Sequence, residues 1–463
     1  MDCIIHMVIK IYERSVTMQF SSDMTQGSVT RIIIAFTLPL LFGNLLQQTY
    51  NIADTLIVGK YLGDDALAAV GATGSITYLF YTLCIGLSIG SGVIVSQYFG
   101  AKMYDKLRLT VFNSALVTAA FGIVISVFTS LFAGNILSAL DVPKELLETS
   151  AGYMTIACAG AVAIAAYNWI NAVMRALGDS KTPLVFLGLA CMLNIGLDLL
   201  FVIKFGLGVN GAAFATVIAQ GLSAILCIVY FFKKNAVVRL KSSDCRFDRV
   251  LSKKCIAAGL PIAAQNGLIS VSMVALQRVT NSFGSNVMTA YTVSMRIEQF
   301  IQQPFSSLGA SEATFTGQNI GAGKSDRAVK GLKESVKLST IFAFFVMGVF
   351  FIFSRQLVGF FISGEESVDI AVKALLMTCC FYAPLGIIHT VRGFLNGCGD
   401  TGYAIVNGMA EVITRIGLSL ILTRVSFIGF WGIWITTCAT WRVTALVSMI
   451  RYKGGKWKLK SKV

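Results

Sequence analysis

Two aspartates stand where the chain is otherwise apolar. Asp54 closes a stripe of Asn44, Gln47, Asn51 and Asp54, whose spacings of 3, 4 and 3 place all four on one side of a helix. Gln48 lies beside that stripe, and Leu45, Leu46, Ile52 and Ala53 fill the other sides. Asp198 follows Asn194 by four residues, again on one helical face. Asn168 and Asn171 are three apart, and Thr216 and Gln220 are four apart. Carboxylates among carbonyl and hydroxyl oxygens suit a hard monovalent cation such as Na+, and the same pair suits a proton. A carboxylate inside a bilayer is costly and marks a functional site by default. The amides and the threonine have a second reading, as hydrogen-bonding glue between helices.

Other chemistry finds little to work with. The chain has two histidines, His6 and His389, and eleven scattered cysteines with no CxxC or zinc spacing. No Ser-His pair, HExxH or glycine-rich phosphate loop is present, so no enzyme activity is expected and no cofactor beyond a coupling ion.

The elements that position these residues are set by composition. The 463 residues are 55% hydrophobic and 13% charged, whereas soluble chains carry about 25% charged residues. The net charge of +15 sits in short clusters between long apolar runs, the pattern of a membrane protein rather than of a nucleic-acid binder. Twelve apolar segments are expected, at 32–58, 67–97, 109–134, 150–173, 183–203, 209–232, 255–281, 287–316, 338–361, 370–396, 403–423 and 428–450. Lys and Arg favour one side of this arrangement by 28 to 6, which predicts both termini in the cytosol.

The chain also repeats itself. Gln97-Tyr98-Phe99-Gly100-Ala101 returns as Gln318-Asn319-Ile320-Gly321-Ala322, Gly178-Asp179 as Gly399-Asp400, and Gly211 as Gly432, each 221 residues on. Six segments per copy give parallel repeats, so a pseudo-twofold axis is expected along the membrane normal. The domain expectation is a cytosolic tail over 1–23, which could be an upstream artefact of the start, then a first lobe over 24–232. A basic linker over 233–254, a second lobe over 255–452 and a basic tail over 453–463 follow. The acidic cluster is not copied: Asp54 aligns with Leu276, Asn194 with Arg415 and Asp198 with Ser419. Coupling chemistry is therefore expected in the first lobe.

The second lobe has its own polar residues. Glu411 and Arg415, four apart, read as a structural ion pair. Glu298 is expected either to pair with Arg278 or Arg296 or to line a cavity, and Glu312 has no assigned role. Gly100 and Gly321 read as helix caps. Pro39, fifteen residues before Asp54, removes a backbone hydrogen bond and reads as a kink that is either static or switchable.

The run from Pro39 to Gly63 with Asn51-Ile-Ala-Asp-Thr at its centre resembles the multidrug and toxic compound extrusion (MATE) family, prokaryotic branch. Arg175-Ala-Leu-Gly-Asp-Ser-Lys, Leu193-Asn-Ile-Gly-Leu-Asp and Gly317-Gln-Asn-Ile-Gly-Ala-Gly share that resemblance, which covers roughly residues 24–452. It implies twelve helices in two six-helix lobes forming a V around a large central cavity. It also implies efflux of organic, often cationic compounds driven by inward Na+ or H+. Matched residue by residue, the cation site is Asp54, Asn171, Asn194, Asp198 and Thr216, with Pro39 at the proline proposed to bend the first helix. The helix 7 acid of some branches is absent here. The expected setting is the plasma (inner) membrane, with small organic substrates, lipid around the chain, no nucleic-acid partner and a monomeric state. The alternative function is a lipid-linked oligosaccharide flippase, whose cavity should be basic and for which Arg278, Arg296 and Arg415 are the candidates.

Overall fold

A computed structural model describes residues 23–139 and 142–460. His6 and most of the expected tail over 1–23 lie outside the described residues, as do 461–463. The helices run as follows. The first half holds α1 Val29–Leu62, α2 Asp64–Gly100, α3 Tyr104–Ser138, α4 Lys144–Ala159, α5 Ala161–Ala176, α6 Lys181–Asp198 and α7 Gly208–Lys234. The second holds α8 Arg249–Asn281, α9 Ser285–Gly321, α10 Ser325–Gly359, α11 Glu365–Cys379, α12 Tyr382–Gly397, α13 Tyr403–Leu422, α14 Gly432–Lys453 and the short α15 Trp457–Lys460. No strand occurs among the described residues.

Composition explains both the helices and their setting. Nine of the helical segments among the described residues are long and apolar enough to span a bilayer. Two bent pairs, α4–α5 (43°) and α11–α12 (53°), raise the number to eleven. The expected segment at 287–316 falls within α9, which has 37 residues. It carries Arg296, Glu298, Gln299, Gln302, Gln303 and Glu312, and so falls short of that apolarity. Large apolar side chains face outward: Leu131 is 69% exposed and Phe345 is 65% exposed. Lipid is the solvent that makes such a surface stable.

Several helices are longer than the apolar runs that predicted them. The expected linker over 233–254 shortens to the stretch between Lys234 and Arg249, because α7 and α8 extend into its charged ends. That stretch is tied to the first half. Arg108 Nε donates to Asp244 Oδ2 at 2.8 Å, and Asn113 on α3 donates to the Arg246 carbonyl and accepts from the Asp248 amide. The Lys241 backbone amide and the Arg108 guanidinium hold the Asp244 carboxyl below its ordinary range.

The 221-residue spacing reappears in backbone conformation. Positive φ occurs at Gly63 (85°) and Gly284 (87°), Gly178 (85°) and Gly399 (81°), Gly208 (59°) and Gly429 (53°), and Lys102 (56°) and Gly323 (71°). The break between α4 and α5 precedes the break between α11 and α12 by the same interval. Gly100 and Gly321 are not the left-handed caps the sequence suggested; Lys102 and Gly323 make that turn. Their lack of a side chain serves a close approach instead. A Cβ on Gly100 would fall 1.9 Å from the Gln318 carbonyl oxygen, and one on Gly321 1.9 Å from that of Gln97. Beside this crossing, Gln97 Nε2 donates to the Gly397 carbonyl at 2.9 Å and Gln318 Nε2 to the Ala176 carbonyl at 3.0 Å. The two halves thus meet tightly at the lysine-rich end of the bundle, referred to below as the basic end.

Candidate functional site

Asp54 and Asp198 come together. Asp198 ends α6, completely buried, with Asn194 one turn before it at 1% exposure. Asp54 reaches them from α1, half-buried, and its carboxyl lies close enough to that of Asp198 for one, if protonated, to donate to the other. No other donor satisfies them: Asp54 Oδ1 and both oxygens of Asp198 are buried without a hydrogen-bond partner among the described residues. The Oδ1 of Asn194 is in the same condition, as is Oε1 of Gln220. Two carboxyls within reach of one another and short of donors make a place for positive charge. Like charges at this range cannot both stay bare in low dielectric, and an unpaired buried acceptor is costly.

A layer of fixed groups frames them. Thr216 on α7 accepts from Asn194 Nδ2 at 3.2 Å and sits 3.3 Å from the Tyr50 hydroxyl on α1. Gln47, Tyr50, Asn194 and Gln220 line a cavity of about 10 Å³ beside the pair, at the threshold for a single water. Tyr50 and Tyr153 both lie within electrostatic reach of the two aspartates. Directly after Asp198 the helix widens into a π-helical turn, Leu199–Lys204, a feature that often marks functional sites. Sequence reading missed Tyr50, Tyr153 and the π turn. Only Tyr50 carried a signal, four residues before Asp54 on the polar face.

The other expected residues make no hydrogen bond to the two aspartates among the described residues. Asn171 is buried on α5 with its Oδ1 unpartnered, and its side-chain neighbour is Tyr167, one turn earlier. Asn168 donates to the Ile164 carbonyl of its own helix at 2.8 Å, which makes it local glue. Asn44 donates to Ser307 on α9 at 2.9 Å, joining the two halves. Asn51 is exposed and Gln48 half-buried. Helix α1 continues unbroken through Pro39.

The second half fills the corresponding region differently. Arg415 is 1% exposed and donates to Glu411 Oε1 at 2.8 Å and to Ser272 Oγ at 2.7 Å. Asn407 joins Gln265 (2.8 Å), Arg392 (3.1 Å) and Ser448 (2.8 Å). Glu298 does not pair with Arg278 or Arg296, because both arginines are exposed while Glu298 is buried. It lies instead by Thr378, within electrostatic reach of Arg415. Glu312 accepts from the Thr316 and Ser335 hydroxyls, each at 2.7 Å. Of the three arginines a pyrophosphate cavity would draw on, Arg415 is buried and engaged by Glu411, while Arg278 and Arg296 are exposed. Among the described residues no three His, Cys, Asp or Glu side chains converge as a metal cluster.

The comparisons with known proteins agree on the family. The MatE family model matches residues 39–200 and 261–421. The probable multidrug resistance protein YoeA of Bacillus subtilis is 28% identical over 444 residues, covering 94% of this chain and 96% of that protein. A crystal structure of MATE in the bent conformation superposes with a TM-score of 0.87 at 22% identity, covering 95% of this chain and 98% of its own. One of MATE in the straight conformation gives 0.88 at 22% identity, covering 95% and 99%.

Proposed function

This chain belongs to the MatE family of multidrug efflux transporters, and on that footing we propose that it is a cation-coupled antiporter. It carries organic, often cationic and amphipathic compounds out of the cell in exchange for inward Na+ or H+. Twelve spanning segments form two six-helix lobes about a pseudo-twofold axis along the membrane normal, in the plasma membrane. The basic end, with both termini, faces the cytosol.

The observation that carries this reading is the meeting of Asp54 and Asp198 without hydrogen-bond donors. A monovalent cation or a proton supplies the missing positive charge, and Asn194, Thr216 and Gln220 supply neutral oxygens around it. Its entry removes the repulsion between α1 and α6, so the two helices draw together when it binds and separate when it leaves. Pro39 lies on α1 below this point, where a change between bent and straight forms costs no backbone hydrogen bond at the proline. Ion and drug then bias one two-state element, and each weakens or strengthens the other by the same factor.

The tight crossing at Gly100 and Gly321 supports a path closed to the cytosol in this conformation. In the converse state the lobes part at that crossing, with the segment between Lys234 and Arg249 spanning them.

The test is ethidium efflux from proteoliposomes under a Na+ gradient and a pH gradient imposed separately. One gradient should drive export in the wild type and neither should in Asp54→Asn or Asp198→Asn. Undiminished gradient-driven export by both variants would rule out this site.

A further inference from the structure

The basic end holds two crevices whose linings correspond at the 221-residue spacing, and the described residues fill only one of them. On one side, Met24 is 1% exposed and packs against Ile33, Phe36 and Phe315. Its amide donates to Gln318 Oε1 at 2.9 Å, and its carbonyl accepts from Asn319 and Arg327. Lys324 Nζ reaches the Thr25 carbonyl at 2.9 Å. This short strap plugs the space between α9 and α1.

On the other side, Gln97 occupies the place of Gln318, Ile94 that of Phe315 and Asp400 that of Asp179. No strap enters here among the described residues. The chain that would supply one is drawn away to α3 by Asn113, which binds Arg246 and Asp248. What remains is a crevice of about 660 Å³ between α2, α8 and α13.

Its lining has two chemistries. Val93, Ile94, Ala257, Ala258 and Val406 form an apolar wall, and Val406 is 54% exposed. Lys254 and Arg451 form a basic rim. Asp400 is bound by Arg451 through two bonds of 2.8 Å, so that pair is neutral. Lys254 is exposed, with no ion pair among the described residues, and leaves the rim one positive charge in excess. Gln97 donates to Gly397, while its Oε1, whose counterpart on Gln318 takes the Met24 amide, receives no bond among the described residues.

We infer that this crevice binds an anionic phospholipid of the inner leaflet: its phosphate on Lys254 and the Arg451 edge, a headgroup hydroxyl on Gln97 Oε1, and an acyl chain along the Val93–Val406 wall. Basic pockets between helices on the cytosolic side are suited to such headgroups. The chain's own C-terminal segment, with Lys456, Lys458 and Lys460, carries the wrong charge for this rim. The inference rests on the basic end facing the inner leaflet. Because α2 comes from the first half and α8 and α13 from the second, the lipid bridges both lobes.

The probe is phosphatidylglycerol, read in two ways on the full-length protein. Native mass spectrometry in detergent should show a retained phosphatidylglycerol, with phosphatidylcholine lost under the same conditions. Lys254→Gln, a change at an exposed residue that leaves the fold intact, should weaken retention about fivefold. A benzophenone amino acid in place of Val406 should, on irradiation in phosphatidylglycerol nanodiscs, crosslink to lipid. Equal retention by Lys254→Gln and wild type would overturn the inference. So would displacement by glycerol 1-phosphate at the lipid's own concentration, which would mark a free-phosphate site. Crosslinks to residues 454–463 would assign the crevice to the chain's own tail and overturn it as well. None of these readings involves transport, so their failure leaves the antiport proposal standing, and its failure leaves them standing.

Discussion

The two halves share a backbone and differ in what they bury. The recurrence of positive φ at Gly63 and Gly284, Gly178 and Gly399, and Gly208 and Gly429 shows how closely local geometry was kept. At corresponding positions the first half holds half-buried Asp54 and buried Asn194 and Asp198 with acceptors left open, and the second buries Leu276, Arg415 and Ser419. Arg415 and Glu411 neutralise one another within a single helix and bind Ser272 besides. One region pairs opposite charges, though Arg415 Nε and Glu298 Oε1 stay unpartnered among the described residues; the other gathers two carboxyls of one sign with their acceptors open. A charge pair that satisfies itself holds helices together; a charge pair of one sign can report on an ion. The same turns recur around both.

That contrast can be broken at its structural side first. Glu411→Ala leaves Arg415 buried without its counter-charge and should cost about 3–5 kcal/mol of stability. The Glu411→Leu, Arg415→Met pair should recover most of that loss. Thermal unfolding in detergent checks both, and a loss of coupling without a loss of stability would place Glu411 with the ion instead. On the other side, Asp54→Asn or Asp198→Asn should leave unfolding almost unchanged and lower gradient-driven efflux by about 100-fold, the upper range of a single coupling energy.

Where the halves agree, the comparison predicts equal sensitivity. Gly321→Ala and Gly100→Ala each push a methyl group against a carbonyl oxygen at the crossing. Each should disfavour the closed basic end by about 1–3 kcal/mol. Spin labels on α2 and α9 would register a longer mean distance in both variants, and a shift in only one would show the crossing to be lopsided. The smallest effect belongs to the linker, which is bound to the first half alone. Asp244 is held below its ordinary range, so its contribution is present above about pH 4 and lost as pH falls through its folded value. Asp244→Asn should cost about 1 kcal/mol and speed hydrogen exchange between residues 235 and 248 at pH 7, with little further change on acidification.

Much of this was legible in the sequence because it depends on spacing within one helix. Asn194 and Asp198 share a face by arithmetic, and so do Glu411 and Arg415. The 221-residue echo located the duplicated geometry before any coordinates. Partners across helices were not legible: nothing in the sequence ties Tyr153 to Asp54 or sets Glu298 beside Thr378 rather than beside a nearby arginine. The bends at Gly160 and after Cys379 were hidden because both flanks are apolar, so each pair read as one segment. Gly100 and Gly321 were misread because a glycine at a helix end looks the same whether it turns the chain or admits a neighbour. Only the carbonyl 1.9 Å from the missing Cβ separates the two.

Ion binding to the purified protein tests the central claim most directly, by radioactive Na+ scintillation proximity and by proton uptake in weak buffer. The account predicts about one ion per chain, Na+ or H+, lost in Asp54→Asn and in Asp198→Asn and kept in the Glu411→Leu, Arg415→Met variant. Full ion binding by an Asp54→Asn, Asp198→Asn double variant would contradict it.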